Sequence, residues 1–404
     1  MAILLGSVTY LDRVAMSVLQ GPISQEFGLS REQMGLVFSA FYIAYGAFEI
    51  PTGWWADKVG SRRVLTRIVV WWSAFTILTG AAFSYWSLIV VRFLFGAGEA
   101  GAFPNVARTF SRWFPQRERG RAQGTFWVGA HLAGGVTPFI VNSLLEAGFQ
   151  WRTIFVMLGS IGFVWAYAWW RWFRDTPEEH PAVTESERAY IAAGRPPFAE
   201  RESTWQDWKR LLGNRTTLGL CLMYFTQSFG GAFYVTWLPT YFVERGLTGR
   251  TAAILAGLPL MFSAIADLLG GVTTDAFTRR FGLRGRTAVG GSALAMAGVF
   301  TLAGTLMESP VAAAVLIALG GASSNFLLAA AWGTCIDIGR SRAGALSGAM
   351  NTSGQVGAIL SPTLIAVVVG QFSNWSAPLY LTGTLFLLGS VCWLWIDPAK
   401  PVSD

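Results

Sequence analysis

Twelve apolar runs, each long enough to cross a bilayer, limit what this chain can fold into more than any other feature. They fall near 3–22, 33–55, 64–83, 86–109, 122–145 and 152–173, and again near 216–242, 251–273, 287–306, 310–335, 344–370 and 376–396. A spanning helix needs about 20 such residues. Backbone groups in lipid must be satisfied within their own segment, so each run is expected to be helical. Charged residues make up only 13% of the 404, against about 25% in soluble proteins. The expectation is an all-α membrane protein with twelve transmembrane helices.

One long polar stretch, 174–212, divides the runs into two sets of six. It contains Pro177, Pro181, Pro196 and Pro197 and many charges, with Ser-Glu-Arg and Trp-Gln-Asp-Trp segments able to form short surface helices. The expected organisation is therefore a six-helix bundle over 1–173, a linker over 174–212 and a second bundle over 213–404. The two halves also echo each other. Gly53 to Asp57, followed by Arg62 and Arg63, matches Gly271 to Asp275, followed by Arg279 and Arg280. Gly124 and Pro138 have the same spacing as Gly348 and Pro362, which sets His131 opposite Gln355 and Trp127 opposite Asn351. Parallel six-helix repeats are a transporter architecture.

Sidedness follows from the basic residues. The short loops after the second, fourth, eighth and tenth runs hold Lys58, Arg62, Arg63, Arg108, Arg112, Arg117, Arg119, Arg121, Arg279, Arg280, Arg284, Arg286, Arg340 and Arg342. The opposite loops hold only Arg31, Arg152, Arg245 and Arg250. Both termini and the linker are expected to be cytoplasmic. The net charge of +7 then reflects orientation rather than nucleic-acid binding. Cys221, Cys335 and Cys392 lie in or beside apolar runs without CxxC spacing, which argues against disulfides and zinc. Two histidines far apart, with no nucleophile and base on one side of the membrane, give no basis for an enzyme, a metal or a cofactor.

The chemistry is expected where ionisable residues interrupt apolar runs, since each costs about 2.5–3.5 kcal/mol at a helix centre. These are Asp12 and Arg13, Glu49, Arg92 and Glu99, His131, and Asp267. Arg92 and Glu99 are seven residues apart, so they share a helix face about 10 Å apart along the axis. Asp12 and Arg13 offer a second pair of opposite charges. Arginine binds carboxylates bidentately, so two arginines neutralised by two carboxylates form a charge-balanced anion site. Protonating the carboxylates would free the arginines for an organic anion, which is the logic of proton symport. The competing reading is a set of structural ion pairs between helices. His131 fits either a proton site or a hydrogen-bonded packing role, and Glu49 a structural or gating one. Tyr10, Tyr45, Tyr234 and Trp237 fit either sugar contacts or core packing.

Several segments resemble the anion:cation symporter family of the major facilitator superfamily. They are Tyr-Leu-Asp-Arg at 10–13, Gly-Trp-Trp-Ala-Asp-Lys-Val-Gly-Ser-Arg-Arg at 53–63, and Arg-Phe-Leu-Phe-Gly-Ala-Gly-Glu-Ala at 92–100. Trp-Phe-Pro-Gln-Arg-Glu-Arg-Gly-Arg-Ala at 113–122, Thr-Trp-Leu-Pro-Thr-Tyr at 236–241 and the segment around Asn351 are also similar. That family includes proton-coupled carriers of galactonate, glucarate and hexuronates, and the animal vesicular glutamate transporters and sialin. The resemblance implies the facilitator fold, two pseudo-symmetric six-helix bundles with the first and fourth helices lining a central cavity. It implies proton coupling at Asp12 and Glu99, with Arg13 and Arg92 in substrate binding or coupling. It implies substrate contacts at Tyr10, Tyr45 and Asn351, with His131 near a polar contact of the fifth helix. The 53–63 motif, with Gly53, Asp57, Gly60, Arg62 and Arg63, reads as a cytoplasmic gate. Glu49 departs from a glutamine common in the family. The short first loop is unlike the long glycosylated loop of the animal members, which favours a bacterial inner membrane.

The expected function is symport of a small organic anion with protons, most simply a sugar acid, by a monomer whose only coupling agent is H⁺. A sodium-coupled or exchange-type carrier, or an exporter on the same fold, are the alternatives.

Overall fold

The first apolar run forms α1, Ala2–Phe27, which stops at Gly28 in the left-handed conformation (φ 62°) with the Gly28 N–H returning to the Ser24 carbonyl. Arg31–Val59 (α2), Ser61–Gly80 (α3), Tyr85–Glu99 (α4), Ala102–Trp113 (α5), Gln116–Glu146 (α6) and Trp151–Trp172 (α7) follow. The short helix α8, Glu185–Ala193, carries the Ser-Glu-Arg segment. The second half contains Arg215–Thr236 (α9), Leu238–Glu244 (α10), Gly249–Phe281 (α11), Arg284–Thr305 (α12), Pro310–Phe326 (α13), Leu328–Gly339 (α14), Ala343–Phe372 (α15) and Ser376–Cys392 (α16). This computed structural model describes residues 1–193, 213–339 and 343–397, without the side chains at 50, 53, 54, 56, 57, 116, 117, 120 and 343–345. The Asp57 carboxylate, Arg117, Arg340, Arg342 and the Trp-Gln-Asp-Trp segment lie outside the described residues.

Nine helices are long and apolar enough to cross a membrane among the described residues, counting α4–α5 and α13–α14 as single rods. With α2, α3 and α9–α10, each half contains six rods. The chain divides into two compact units, Met1–Ala199 and Glu200–Asp404. In unit 1, α1 packs on α6, α2 on α4 and α3 on α7; in unit 2, α9 packs on α15, α11 on α13 and α12 on α16. These are the same three pairings in each half, so the repeat glimpsed in short motifs extends to helix packing.

Three apolar runs that read as continuous are broken. The fourth helix breaks at Ala100–Gly101, the seventh at Trp237 and the tenth at Leu327. Proline explains two of these, because it has no N–H for the carbonyl four residues back and its ring crowds that carbonyl. Pro104 has no N–H to offer the Ala100 carbonyl, and Pro239 stands in the first turn of α10. The polar stretch after α7 folds back on unit 1. His180 packs edge-on to Trp113 and Trp172, Tyr190 donates to Glu118 Oε1 (2.5 Å), and Ile191 is buried.

Candidate functional site: a buried charge cluster in unit 1

Arg13 and Glu99 meet across α1 and α4. Arg13 Nε donates to Glu99 Oε1 at 2.5 Å, and the carboxylate is fully buried while the guanidinium keeps 14% of its exposure. Asp12 is adjacent in sequence but points elsewhere, because neighbouring helix positions project about 100° apart. Its Oδ2 accepts from Thr76 Oγ1 of α3 at 3.3 Å. Asp12 and Arg13 therefore do not pair with each other; the ion pair crosses between helices. Arg92 shares the α4 face with Glu99, as the seven-residue spacing requires, and is buried to 3% exposure. It lies within electrostatic reach of both Asp12 and Glu99.

Aromatic rings surround both cations. The Arg13 guanidinium lies 4.9 Å from the Tyr45 ring, 5.0 Å from Phe41, 5.4 Å from Phe103 and 5.8 Å from Tyr10. Arg92 lies 4.5 Å from Phe95 and 5.4 Å from the same Phe41 ring. Such contacts attract a cation through the ring quadrupole and spend no hydrogen bonds. Gly96 permits this arrangement, since any Cβ there would collide with the Phe41 carbonyl. Four buried polar atoms remain without a hydrogen-bond partner: Asp12 Oδ1, Arg13 Nη2, Arg92 Nε and Glu99 Oε2. Buried polar atoms are normally satisfied, and each exception calls for a reason. Other buried atoms among the described residues also lack a partner, but these four fall together on ionisable side chains of one cluster.

A second group adjoins it. Tyr10 Oη lies 3.4 Å from His131 Nε2, and Trp127 stacks on both His131 (5.7 Å) and Phe103 (5.0 Å). Tyr10, Tyr45, Arg13, Arg92, Asp12, Glu99 and His131 thus all belong to one region of unit 1. Reading the sequence for charges missed Thr76, Phe41, Phe103 and Trp127. The signals for them were Phe41 standing one turn before Tyr45, which brings both rings to one face, and Trp127 standing opposite Asn351 in the repeat.

Comparisons with known proteins identify the family. The family model for the Major Facilitator Superfamily matches residues 2–362. The chain belongs to that superfamily. It is a multi-pass membrane transporter and not an enzyme. It is 35% identical over 400 residues, 98% of this chain and 92% of the relative, to a protein of Cupriavidus necator described as a probable sulfoacetate transporter. It is 31% identical over 420 residues, 98% and 91% of the two chains, to a probable galactarate/D-glucarate transporter of Escherichia coli. A hexuronate transporter of Bacillus subtilis is 28% identical over 394 residues, 96% and 91% of the two chains. Among solved structures, a bacterial homologue of the human lysosomal transporter Spinster, inward-facing and occupied, superposes with a TM-score of 0.75 at 19% identity. That match covers 97% of this chain and 94% of the other and carries the fold alone.

The superfamily motif at 53–63 is anchored in this facilitator by a residue that the sequence did not single out. Gly60 precedes α3 with φ 93°, a left-handed conformation that glycine adopts without strain. Asp175, beyond the end of α7, occupies the space a Cβ at Gly60 would need, and its Oδ1 accepts from the Arg62 N–H at 2.9 Å. The carboxylate therefore caps α3 from the segment that follows α7. The Arg62 guanidinium donates to the Trp170 carbonyl and lies 4.4 Å over the Trp170 ring, whereas Arg63 is exposed. Asn351 belongs to unit 2, half-buried on α15. Tyr234 and Trp237 are buried there with internal partners, Thr301 Oγ1 and the Pro362 carbonyl. Those two aromatic residues hold the core together.

Proposed function

We propose that this facilitator carries a small organic anion across a bacterial inner membrane together with protons. A sugar acid (hexonate, hexarate or hexuronate) is the first candidate and a sulfonated carboxylate such as sulfoacetate the next. The observation that carries this reading is the buried Arg13–Glu99 ion pair with a spare guanidinium nitrogen. While Glu99 is ionised it occupies Arg13. A proton on Glu99 removes the competing charge and releases the guanidinium for an acid group of the substrate. Asp12, held by Thr76 beside Arg92, is the second proton carrier, and Arg92 balances whichever carboxylate is ionised. Tyr10, Tyr45 and His131 complete the substrate contacts in unit 1, and the family resemblance adds Asn351 as a further contact. The names of the relatives support an organic anion, and the arginine-rich loops support cytoplasmic termini. The 53–63 motif acts as a cytoplasmic gate. The carrier works as a monomer, because every proposed group belongs to one chain.

Proteoliposomes with a pH-sensitive dye inside test this. Adding glucarate, a hexuronate or sulfoacetate outside should acidify the lumen, and Glu99→Gln should abolish acidification and uphill uptake. Unchanged acidification in both Asp12→Asn and Glu99→Gln would overturn the coupling assignment. Uptake of labelled anion that requires sodium and ignores pH would favour sodium coupling instead.

A further inference from the structure

Sulfur gathers at one place in unit 2. Cys335 of α14 donates its thiol to Met350 Sδ of α15 at 3.6 Å, and both side chains are fully buried. Cys221 of α9 is half-buried and lies within electrostatic reach of the Cys335 thiol. The same stretch of α15 holds it there: Ser353, one turn after Met350, donates through Oγ to the Cys221 carbonyl at 2.9 Å. The third cysteine stands apart. A Cβ on Gly219 would meet the Cys392 carbonyl at 3.0 Å, and Gly219 projects about 200° around α9 from Cys221. Three sulfur atoms on three helices therefore face one another, and Cys392 belongs to a different side of α9.

Thiol and thioether sulfurs select soft ions, monovalent copper among them. Two sulfurs 3.6 Å apart, each bonded to a shared ion at about 2.3 Å, subtend about 100° at that ion. This is close to a tetrahedral angle, so Cys335 and Met350 are already spaced for a common ion. Among the described residues, no His, Asp or Glu completes a ligand set with the thiols. Asp337, two residues beyond Cys335, is paired with Arg286 Nε at 2.8 Å. Zinc fills closed sites with four ligands and lacks a full set here. Cys221 stands near the start of α9, Cys335 near the end of α14 and Met350 near the start of α15, helix ends expected to face the cytoplasm. A reducing cytosol keeps such thiols free to bind.

We infer that Cys221, Cys335 and Met350 form a site for a soft monovalent metal ion, Cu(I) or Ag(I). An arriving ion meets half-buried Cys221 first and passes to Cys335 and Met350, and each thiol that binds gives up its proton. Once held, the ion ties α14, which starts just after the break at Leu327, to α9 and α15. The site lies within unit 2 alone and is independent of which anion the protein carries.

The test titrates Cu(I) anaerobically into the purified full-length protein against a chromogenic Cu(I) chelator, for wild type, Cys335→Ser, Met350→Leu and Cys392→Ser. Wild type and Cys392→Ser should each bind a single ion with the same affinity. Changes outside the ligands themselves already cost metal sites about 10-fold, so Cys335→Ser and Met350→Leu should each weaken binding by at least about 10-fold. Met350→Leu nearly conserves volume and keeps the test decisive should Cys335→Ser fail to fold. An ion bound only by the folded state raises the melting temperature, so Cu(I) should raise that of the wild type and raise that of Met350→Leu much less. Full affinity in Met350→Leu would reduce the group to reactive thiols and overturn the site, as would binding lost only in Cys392→Ser. Zn(II) held as tightly as Cu(I) would refute the choice of a soft ion. None of these readings involves transport, so failure of this site and failure of the proposed function are distinguishable.

Discussion

Glu99 is fully buried, with one oxygen on Arg13 and the other unpartnered. Removing one member of a buried ion pair strands the other charge, which costs about 3–5 kcal/mol. Glu99→Ala should therefore lower stability in detergent by about that much, whereas Glu99→Gln, which also removes the charge but keeps the volume and a hydrogen-bond acceptor for Arg13, should lose less. Equal thermal unfolding of Glu99→Ala and the wild type would contradict the pairing. Arg13 is a second discriminating position. Its planar fork is ringed by four aromatic residues, and a lysine supplies the charge without the fork or the stacking. Arg13→Lys should weaken anion binding by at least about 10-fold, as read by calorimetry, with the protein still folded.

At the scale of helices, two features were absent from the linear pattern. The cap on α3 comes from Asp175, 115 positions after Gly60 when the two residue numbers are subtracted. Losing an N-terminal cap costs about 1 kcal/mol, so Asp175→Ala should lower the melting temperature modestly. Gly60→Ala should lower it more, since a Cβ must enter the space of the Asp175 carboxylate with φ at 93°. Melting temperatures in the opposite order would contradict this account. The break after Glu99 is the other feature. Pro104→Ala restores the N–H that the Ala100 carbonyl lacks, which favours one continuous rod through the end of α4. The expected result is slower transport with anion affinity retained, measured as turnover against dissociation constant. Unaltered turnover would separate the break from the transport cycle.

For the whole molecule, the two units repeat the same three helix pairings but carry different chemistry. Unit 1 concentrates its buried charge around Arg13, Arg92, Asp12 and Glu99, and unit 2 pairs the amides of Gln227 and Asn325 on the corresponding helices. Large apolar side chains face outward along the rods, Val164 and Tyr167 at 70% exposure and Val272 at 68%, as expected where lipid replaces water. The arginine-rich loops give the chain an expected orientation, with those loops cytoplasmic. With the native cysteines replaced, Arg63→Cys should react with an impermeant maleimide only from the cytoplasmic side, and Ser30→Cys only from the opposite side. Both positions are exposed, so labelling with reversed sidedness would refute the orientation.

Hydropathy and charge act locally, and what depends on them was legible in the sequence. Each run of about 20 apolar residues had to become a helix because lipid offers the backbone no partners. The ionisable residues inside those runs were conspicuous because each is expensive there, and Asp12, Arg13, Arg92, Glu99 and His131 do fall in one region of unit 1. Which charge meets which could not be read along the chain. Asp12 and Arg13 are neighbours in sequence, yet their side chains diverge by about 100°, and only the placement of α3 and α4 sends one to Thr76 and the other to Glu99. Phe41, Asp175 and Met350 stayed hidden for a related reason. An aromatic ring, a loop carboxylate or a thioether is an ordinary residue at its own position. Each gains its role only from the partner that helix packing brings to it.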